Sequence, residues 1–235
     1  MPFDRFYLQN PFSVGSQVFL EGNEHHHLAH VMRISVGEEI ELVNGEGALA
    51  RALLVQLDKK KALLEIKKVE QIPRKPPQIL LAIPFLRAAK LEWVLEKGAE
   101  LNVDSFLLYP ADLGEKKELS AHQLERLHSL LISSMKQSGR LFLPHLECAA
   151  QFSDLFKKEA FFLYGDTRSA APLLDRVDFP VVFVSGPESG FSQREHELLE
   201  QKGQGVKLSR FILRAETAPL AAAALLSWKS EKCGL

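Results

Sequence analysis

Long apolar runs are missing from this 235-residue chain, and no segment approaches the ~20 apolar residues that a membrane-spanning helix needs. The opening MPFDRFYLQN has no signal-type apolar core and places Asp4 early, so neither export nor insertion is expected. The longest apolar stretch, residues 219–226, reads as a buried helix. Cysteine is scarce: Cys148 and Cys233 stand far apart without CxxC spacing, which argues against a zinc site or a disulfide framework. Two isolated thiols fit a reducing compartment, and the expected address is the cytoplasm. An excess of one charge is missing as well. With 29 Lys+Arg against 30 Asp+Glu the net charge is -1, which excludes a histone-like or tail-driven nucleic-acid binder and leaves only a local basic surface for that purpose. What remains is globular composition, 46% hydrophobic and 25% charged, in a length that suits one large domain or two modest ones.

Proline is concentrated where it separates two kinds of sequence. Ile72-Pro73-Arg74-Lys75-Pro76-Pro77 disfavours both helix and central strand, so residues 73–77 read as a linker between domains at 1–72 and 78–235. Before it, apolar segments at 17–20, 39–43, 50–57 and 61–69 lie between turn signals such as Asn44-Gly45, and predict the strands of a small β-barrel. At a helix-like interruption at 24–33, the neighbouring Val31, Met32 and Ile34 suggest a plug for one end of that barrel, with Arg33 free to point outward. After the linker, strand-length apolar runs at 79–83, 106–109, 161–164, 181–185 and 206–208 alternate with segments of helical period, the pattern of an α/β domain with a mostly parallel sheet. Leu91, Val94, Leu95 and Leu101 share one helical face, as do Leu124, Leu127, Leu131 and Met135. Ser120 with Gln123 and Ser192 with Glu195 have capping-box spacing, while Gly139 and Gly203 stand where glycines end helices.

Several motifs bear on chemistry. Gly45-Glu46-Gly47-Ala48-Leu49-Ala50 fits GxGxxA, but a hairpin pattern follows it rather than a helix, so a dinucleotide site is not expected. His26 and His30 have the i, i+4 spacing of a metal clamp without an HExxH glutamate or a third ligand, and no metal is expected there. The run at 181–192 is a buried strand entering the loop Gly186-Pro187-Glu188-Ser189-Gly190, whose glycines let backbone groups approach a ligand closely. Residues 205–218 again place a strand before an arginine-bearing loop and a long apolar helix. With Phe162-Leu163-Tyr164-Gly165-Asp166 they give three strand ends able to line one pocket.

Six segments, in order along nearly the whole chain, resemble the SPOUT-superfamily RNA methyltransferases, and most closely the branch that methylates N3 of a uridine in 16S rRNA. They are 1–7, with Arg5 among aromatics; 27–37, similar to HxxxVLRxxxG; 90–103, similar to KxExxxxKxxELGV; Gln137-Ser138-Gly139-Arg140 with Pro144; Gly186-Pro187-Glu188-Ser189-Gly190, similar to GPEGG; and 208–218, similar to LGxRILRTETA. The chain departs from the pattern at Asn102, Lys136, Ser189, Ser209 and Ala215, the last deleting a hydroxyl between Arg214 and Glu216.

The resemblance implies a PUA-like β-barrel followed by a SPOUT α/β domain with a C-terminal trefoil knot, and a homodimer with its pocket at the subunit interface. It implies S-adenosylmethionine as cofactor, held by Leu163, Gly165, Ser185, Gly186, Pro187, Glu188, Gly190, Leu208, Ile212 and Leu213. The partner it implies is 16S rRNA or the small ribosomal subunit, gripped by Arg5, Arg33, Lys90 and Arg140. Uracil N3 carries a proton that must leave before the nitrogen attacks, which makes Glu216 the candidate base and Arg214 the candidate for charge stabilisation. Two other readings stay open: another RNA target, such as a ribose 2′-hydroxyl, and a catalytically silent RNA-binding assembly factor.

Overall fold

The computed structural model describes residues 4–76, 78–168 and 170–232; Cys233, Pro77 and the first three residues, all singled out above, lie outside the described residues. The chain forms two compact units. One runs up to residue 75 and includes 135–143; the other holds 76–134 and the chain from 144 onward.

In the first unit β1 (Arg5–Tyr7), β2 (Gln17–Glu21), β3 (Glu39–Val43), β4 (Ala48–Leu57) and β5 (Lys61–Gln71) form one sheet in the order β1-β3-β4-β5-β2. β1 runs parallel to β3 and the other neighbours are antiparallel. The β4–β5 ladder shifts register between Arg51 and Ala52 and again between Leu54 and Gln56. Such bulges bend a strand and add twist. The sheet thereby curls around a core that includes Phe6, Leu20, Leu42, Leu54, Leu64 and Ile66. Among the described residues β1 and β2 remain its edges, so the expected barrel is a curled sheet whose ladder does not close there.

The interruption expected at 24–33 is α1 (Gly22–His26) continued by a π-helical turn at His27–Met32, with Arg33 in the left-handed region at φ 57°. The wider turn changes which residues face inward. Of the three residues named above, Ile34 joins the core together with Leu28, whereas Val31 is 57% exposed and Met32 is also outside, so the plug is made by Leu28 and Ile34 and not by Val31 or Met32. The GxGxxA stretch is the β3–β4 turn, where Asn44 Oδ1 accepts from the amides of Glu46 and Ala48. At Gly47, φ is 90° and a Cβ would sit 2.5 Å from the Ile72 carbonyl oxygen, so the tight turn itself requires this glycine. Residues 135–143 complete this unit. Gly47 N donates to Leu141 O and Leu143 N to Gly45 O, both at 2.9 Å, and Lys136 Nζ meets Glu24 Oε1 at 2.5 Å.

In the second unit β6 (Ile79–Pro84), α2 (Ala88–Glu100), β7 (Ser105–Tyr109), α3 (Ala121–Ser138, whose last turn belongs to the first unit), β8 (His145–Cys148), β9 (Phe161–Gly165), β10 (Val181–Val184), α4 (Gln193–Lys202), β11 (Gln204–Val206) and α5 (Thr217–Lys232) follow in order. The six strands form a parallel sheet in the order β11-β9-β10-β6-β7-β8. Side chains alternate across it. Leu80, Ala82, Leu107, Tyr109, Phe162, Tyr164, Val182 and Val184 pack on one face with Leu199 of α4 and with Phe152 and Leu155 of a 3-10 helix (Phe152–Lys157). α5 packs against α2, β6 and β10. Both capping boxes form, Ser120 with Gln123 and Ser192 with Glu195. Gly139 ends α3 at φ 82°, but Gly203 ends α4 in extended backbone. A Cβ there would lie 2.8 Å from Phe162 O, so Gly203 is needed for close approach to β9 and not for a left-handed turn.

Candidate active site

In a parallel sheet every strand leaves by the same edge, and a ligand crevice forms there where the strand order reverses. β6 occupies that place, because the chain goes from it to β7 on one side while β10 borders it on the other. The loops following β6, β9, β10 and β11 therefore open on one rim, with Gly165 paired to Val206 and Val184 to both Ala82 and Tyr164. Those after β9, β10 and β11 are the three strand ends singled out in the sequence.

On this rim one ammonium joins three elements. Lys90 Nζ, in the first turn of α2, lies 2.8 Å from Glu188 Oε1 in the loop after β10 and 3.2 Å from Glu216 Oε2 just before α5. Arg214 Nη1 is 3.9 Å from Glu216 Oε1, and its side chain is 83% exposed. The resemblance puts Lys90 on RNA; in the structure it pairs with the carboxylates of Glu188 and Glu216. The Glu188 carboxylate and then that of Glu216 raise the Lys90 pKa, and Lys90 in return holds the Glu188 carboxyl below its ordinary value.

The loop after β10 is anchored from β7. Tyr109, fully buried at the end of that strand, donates from its hydroxyl to the Ser185 carbonyl at 2.7 Å. Burial, with Glu195 nearby, pushes its phenol well above the ordinary value, so it remains a donor. Glu195, with no exposed surface, accepts from the amides of Asp112 and Ser192, each at 2.8 Å, and Ser192 Oγ donates to Asp112 Oδ2 at 2.7 Å. Only the Ser192–Glu195 spacing could have been read beforehand; Tyr109 and Asp112 carry no local signal, since they act across 76 and 80 or more residues. The exit of β9 is held by another cluster the sequence did not disclose. Asp166 takes the Arg168 guanidinium at 2.7 and 3.0 Å, and Arg168 Nη1 donates to Glu200 at 2.7 Å. Burial works to raise the Asp166 pKa, but the Arg168 hydrogen bonds outweigh it and hold the carboxyl low.

The remaining expected residues fall into place on this rim or away from it. Leu163, Ser185 and Pro187 are buried at the strand ends; Gly165, Gly186, Leu208 and Leu213 are half-buried; Gly190 is exposed with φ 77°. Ile212 is 82% exposed, beside Phe211 at 75%. Arg5, Arg33 and Arg140 belong to the other unit. Arg5 turns inward, its Nη2 and Nε 2.7 and 3.0 Å from Glu41 Oε2, which makes it a fold-stabilising pair in the structure rather than an open phosphate contact. Arg140 is half-buried, and Arg33 is the exposed one of the three. His25 Nε2 is 2.9 Å from the Asp58 carbonyl oxygen, and His26 packs on His30 with ring centroids 5.0 Å apart. A groove of about 350 Å³ opens at the opposite edge of the sheet, lined by Leu80, Ser105, His145 and Pro180 among others, and holds none of the expected site residues.

Known proteins share this architecture. The family described as RNA methyltransferase domain matches residues 73–227, and that described as RNA methyltransferase PUA domain matches 20–67. Ribosomal RNA small subunit methyltransferase E of Bacillus subtilis is 28% identical over 90% of each chain, and that of Aquifex aeolicus 28% over 90% of this chain and 94% of its own. A crystal structure of ribosomal RNA small subunit methyltransferase E from Neisseria gonorrhoeae, bound to S-adenosyl methionine, is 30% identical with a TM-score of 0.86, covering 97% of this chain and 98% of that one. Matched across both of its units, the chain belongs to the RNA methyltransferase family that carries a PUA domain ahead of its methyltransferase domain.

Proposed function

We propose that this enzyme methylates N3 of a uridine in 16S rRNA of the small ribosomal subunit, with S-adenosylmethionine as donor. The observation that carries the reading is the rim itself: Glu216, Lys90, Glu188 and Arg214 gather beside the loop after β10, in a chain 30% identical along nearly its whole length to a methyltransferase E that binds this cofactor. The residues present fit the cofactor. The backbone amides of Leu208, Ile212 and Leu213 make no protein hydrogen bond among the described residues, which leaves them as donors for a ligand. Apolar Leu208, Ile212 and Leu213 offer cover for an aromatic base, and Glu188 and Glu216 suit a ligand that carries positive charge. When bound, S-adenosylmethionine supplies an electrophilic methyl group.

The rest falls to the protein. A uridine paired through N3 is unreactive, so the base must be unpaired or turned out of its helix before it reaches the rim. Glu216 takes the N3 proton onto its carboxylate, leaving the electron pair on N3. Uracil N3–H is a much weaker acid than a carboxylic acid, and Arg214, open to solvent beside Glu216, offsets the charge that develops. Holding donor and acceptor in line contributes most of the acceleration. Exposed Arg33, with Arg140, serves the RNA backbone, and Arg5 keeps the sheet that presents them in shape.

The same reading includes a homodimer, supported by exposed apolar side chains toward the C-terminus, Phe211, Ile212, Leu225 and Trp228, which a second copy would cover. It includes the trefoil knot, supported by the bridge between Leu173 and Lys207, where the loop after β9 meets the loop after β11. A ribosomal-subunit substrate supports a cytoplasmic address as part of the same reading.

The test is incubation with S-adenosylmethionine and small subunits from a strain lacking the modification, followed by nucleoside mass spectrometry. New 3-methyluridine, lost in Glu216→Gln by about 10²-fold or more, is the expected result. A ribose-methylated nucleoside moves the target, and absence of any product with cofactor bound turns the reading toward an assembly factor.

A further inference from the structure

We infer that Lys90 is a positioning residue: it holds the Glu216 carboxylate in place and ties it to the loop after β10, so that the proton acceptor is set only when that loop is formed. The inference rests on the reading of Glu216 given above. Residues 90, 188 and 216 come from three separate elements, and a single ammonium spans 2.8 Å to one carboxylate and 3.2 Å to the other.

The two contacts differ in kind. Glu188 is 50% exposed and forms an aligned hydrogen bond to Lys90, a wet pair of the sort that opens readily. Glu216 is 16% exposed, and its Oε2 is buried without a hydrogen-bond partner, facing Lys90 as an ion pair. The other oxygen has only solvent-exposed Arg214 at 3.9 Å. Among the described residues Lys90 is thus the nearest cation to the sheltered oxygen, and packing of α5 against α2 keeps the two elements together. Loss of the Glu188 contact frees the ammonium to swing on its four-carbon stem. Removal of the Lys90 charge leaves a sheltered carboxylate oxygen facing no cation.

A phosphate clamp at Lys90 is the competing role, and the charges oppose it. One positive group sits between two negative ones, so an approaching phosphate meets a cluster that is net negative before Arg214 is counted. An RNA-binding lysine would instead stand clear of carboxylates.

The experiment compares Lys90→Gln, Lys90→Arg, Glu216→Gln and the double variant Lys90→Gln/Glu216→Gln. It reads single-turnover methylation of unmodified small subunits, subunit affinity across a salt series, and thermal unfolding. Lys90→Gln is expected to lower the saturated rate by about tenfold or more with subunit affinity and its salt slope unchanged, and Lys90→Arg to recover part of the loss. In the Glu216→Gln background, removing Lys90 is expected to cost little more, because the two act as a unit. The inference is overturned if Lys90→Gln weakens subunit binding and flattens its salt dependence while the saturated rate stands, which is the behaviour of a phosphate contact. It is equally overturned if Lys90→Gln has no effect, or if the two rate losses multiply. A wild-type protein that methylates no subunit overturns the reading of the site, and this inference with it, a result distinct from all of these.

Discussion

Arg5 with Glu41 in the first unit and Lys90 with Glu188 and Glu216 in the second are built from the same kinds of side chain, yet they stand at opposite ends of a scale of burial. The first pair is about nine-tenths buried and joined through two guanidinium nitrogens, so its members have nowhere else to go. The second cluster lies on an open rim, shares one ammonium between two carboxylates, and includes a contact half exposed to water. A buried fork fixes a structure, because removing one partner strands the other away from water. A shared, wet ammonium leaves room for rearrangement when a ligand arrives. Motif membership alone does not separate these uses; burial does.

The contrast is open to direct attack. Arg5→Ala should cost about 3–5 kcal/mol in chemical denaturation while leaving S-adenosylmethionine affinity at the folded protein unchanged; an undiminished stability would mean the fork is dispensable and the contrast mistaken. Glu195→Ala, which strips the amides of Asp112 and Ser192 of their buried acceptor, should cost roughly 2–3 kcal/mol and also weaken the cofactor, since the loop after β10 loses its anchor. Tyr109→Phe removes one buried donor to Ser185 and should cost about 1 kcal/mol, with calorimetry showing a several-fold weaker cofactor. Asp166 sharpens the comparison through pH. Its folded carboxyl is held low by Arg168, so its contribution is present above the unfolded value and lost as pH falls through the folded one. Melting curves below pH ~4 should therefore drop less steeply in Asp166→Asn than in the wild type. Arg87→Ala, which breaks a pair with Glu115 that is exposed on both sides, should change stability by no more than about 0.5 kcal/mol, and a larger loss would show that exposure is a poor guide here.

Much of this architecture is written in local pattern. The long alternating runs became β3, β4 and β5, the continuous apolar runs became β6, β7, β9 and β10, and both capping boxes closed where Ser120 and Ser192 stand. The short elements escaped. β1 is 3 residues long, and β8 is a 4-residue edge strand with mostly exposed side chains, so neither offers enough alternation to be seen. The π-helical turn escaped because its spacing mimics an ordinary helix until the inward face is checked at Val31. Candidate site residue 188 was legible in its Gly- and Pro-rich loop, whereas 214 and 216 were named through the resemblance of segment 208–218 to a family motif. What they touch was not, because Lys90 and Tyr109 meet partners from 76 to 126 residues away, and sequence spacing carries no record of such contacts.

The first unit is not continuous in sequence. The strip at 135–143 lies along the β3–β4 turn through Gly45 and Gly47, and Lys136 meets Glu24, whose other oxygen accepts the Tyr7 amide. A nascent chain that has emerged only as far as residue 75 therefore has every strand of the first sheet but an unfinished turn and an unpaired acid. That unit reaches its final form only after about sixty residues of its neighbour have been made, so a fragment cut at the proline linker lacks part of the first unit.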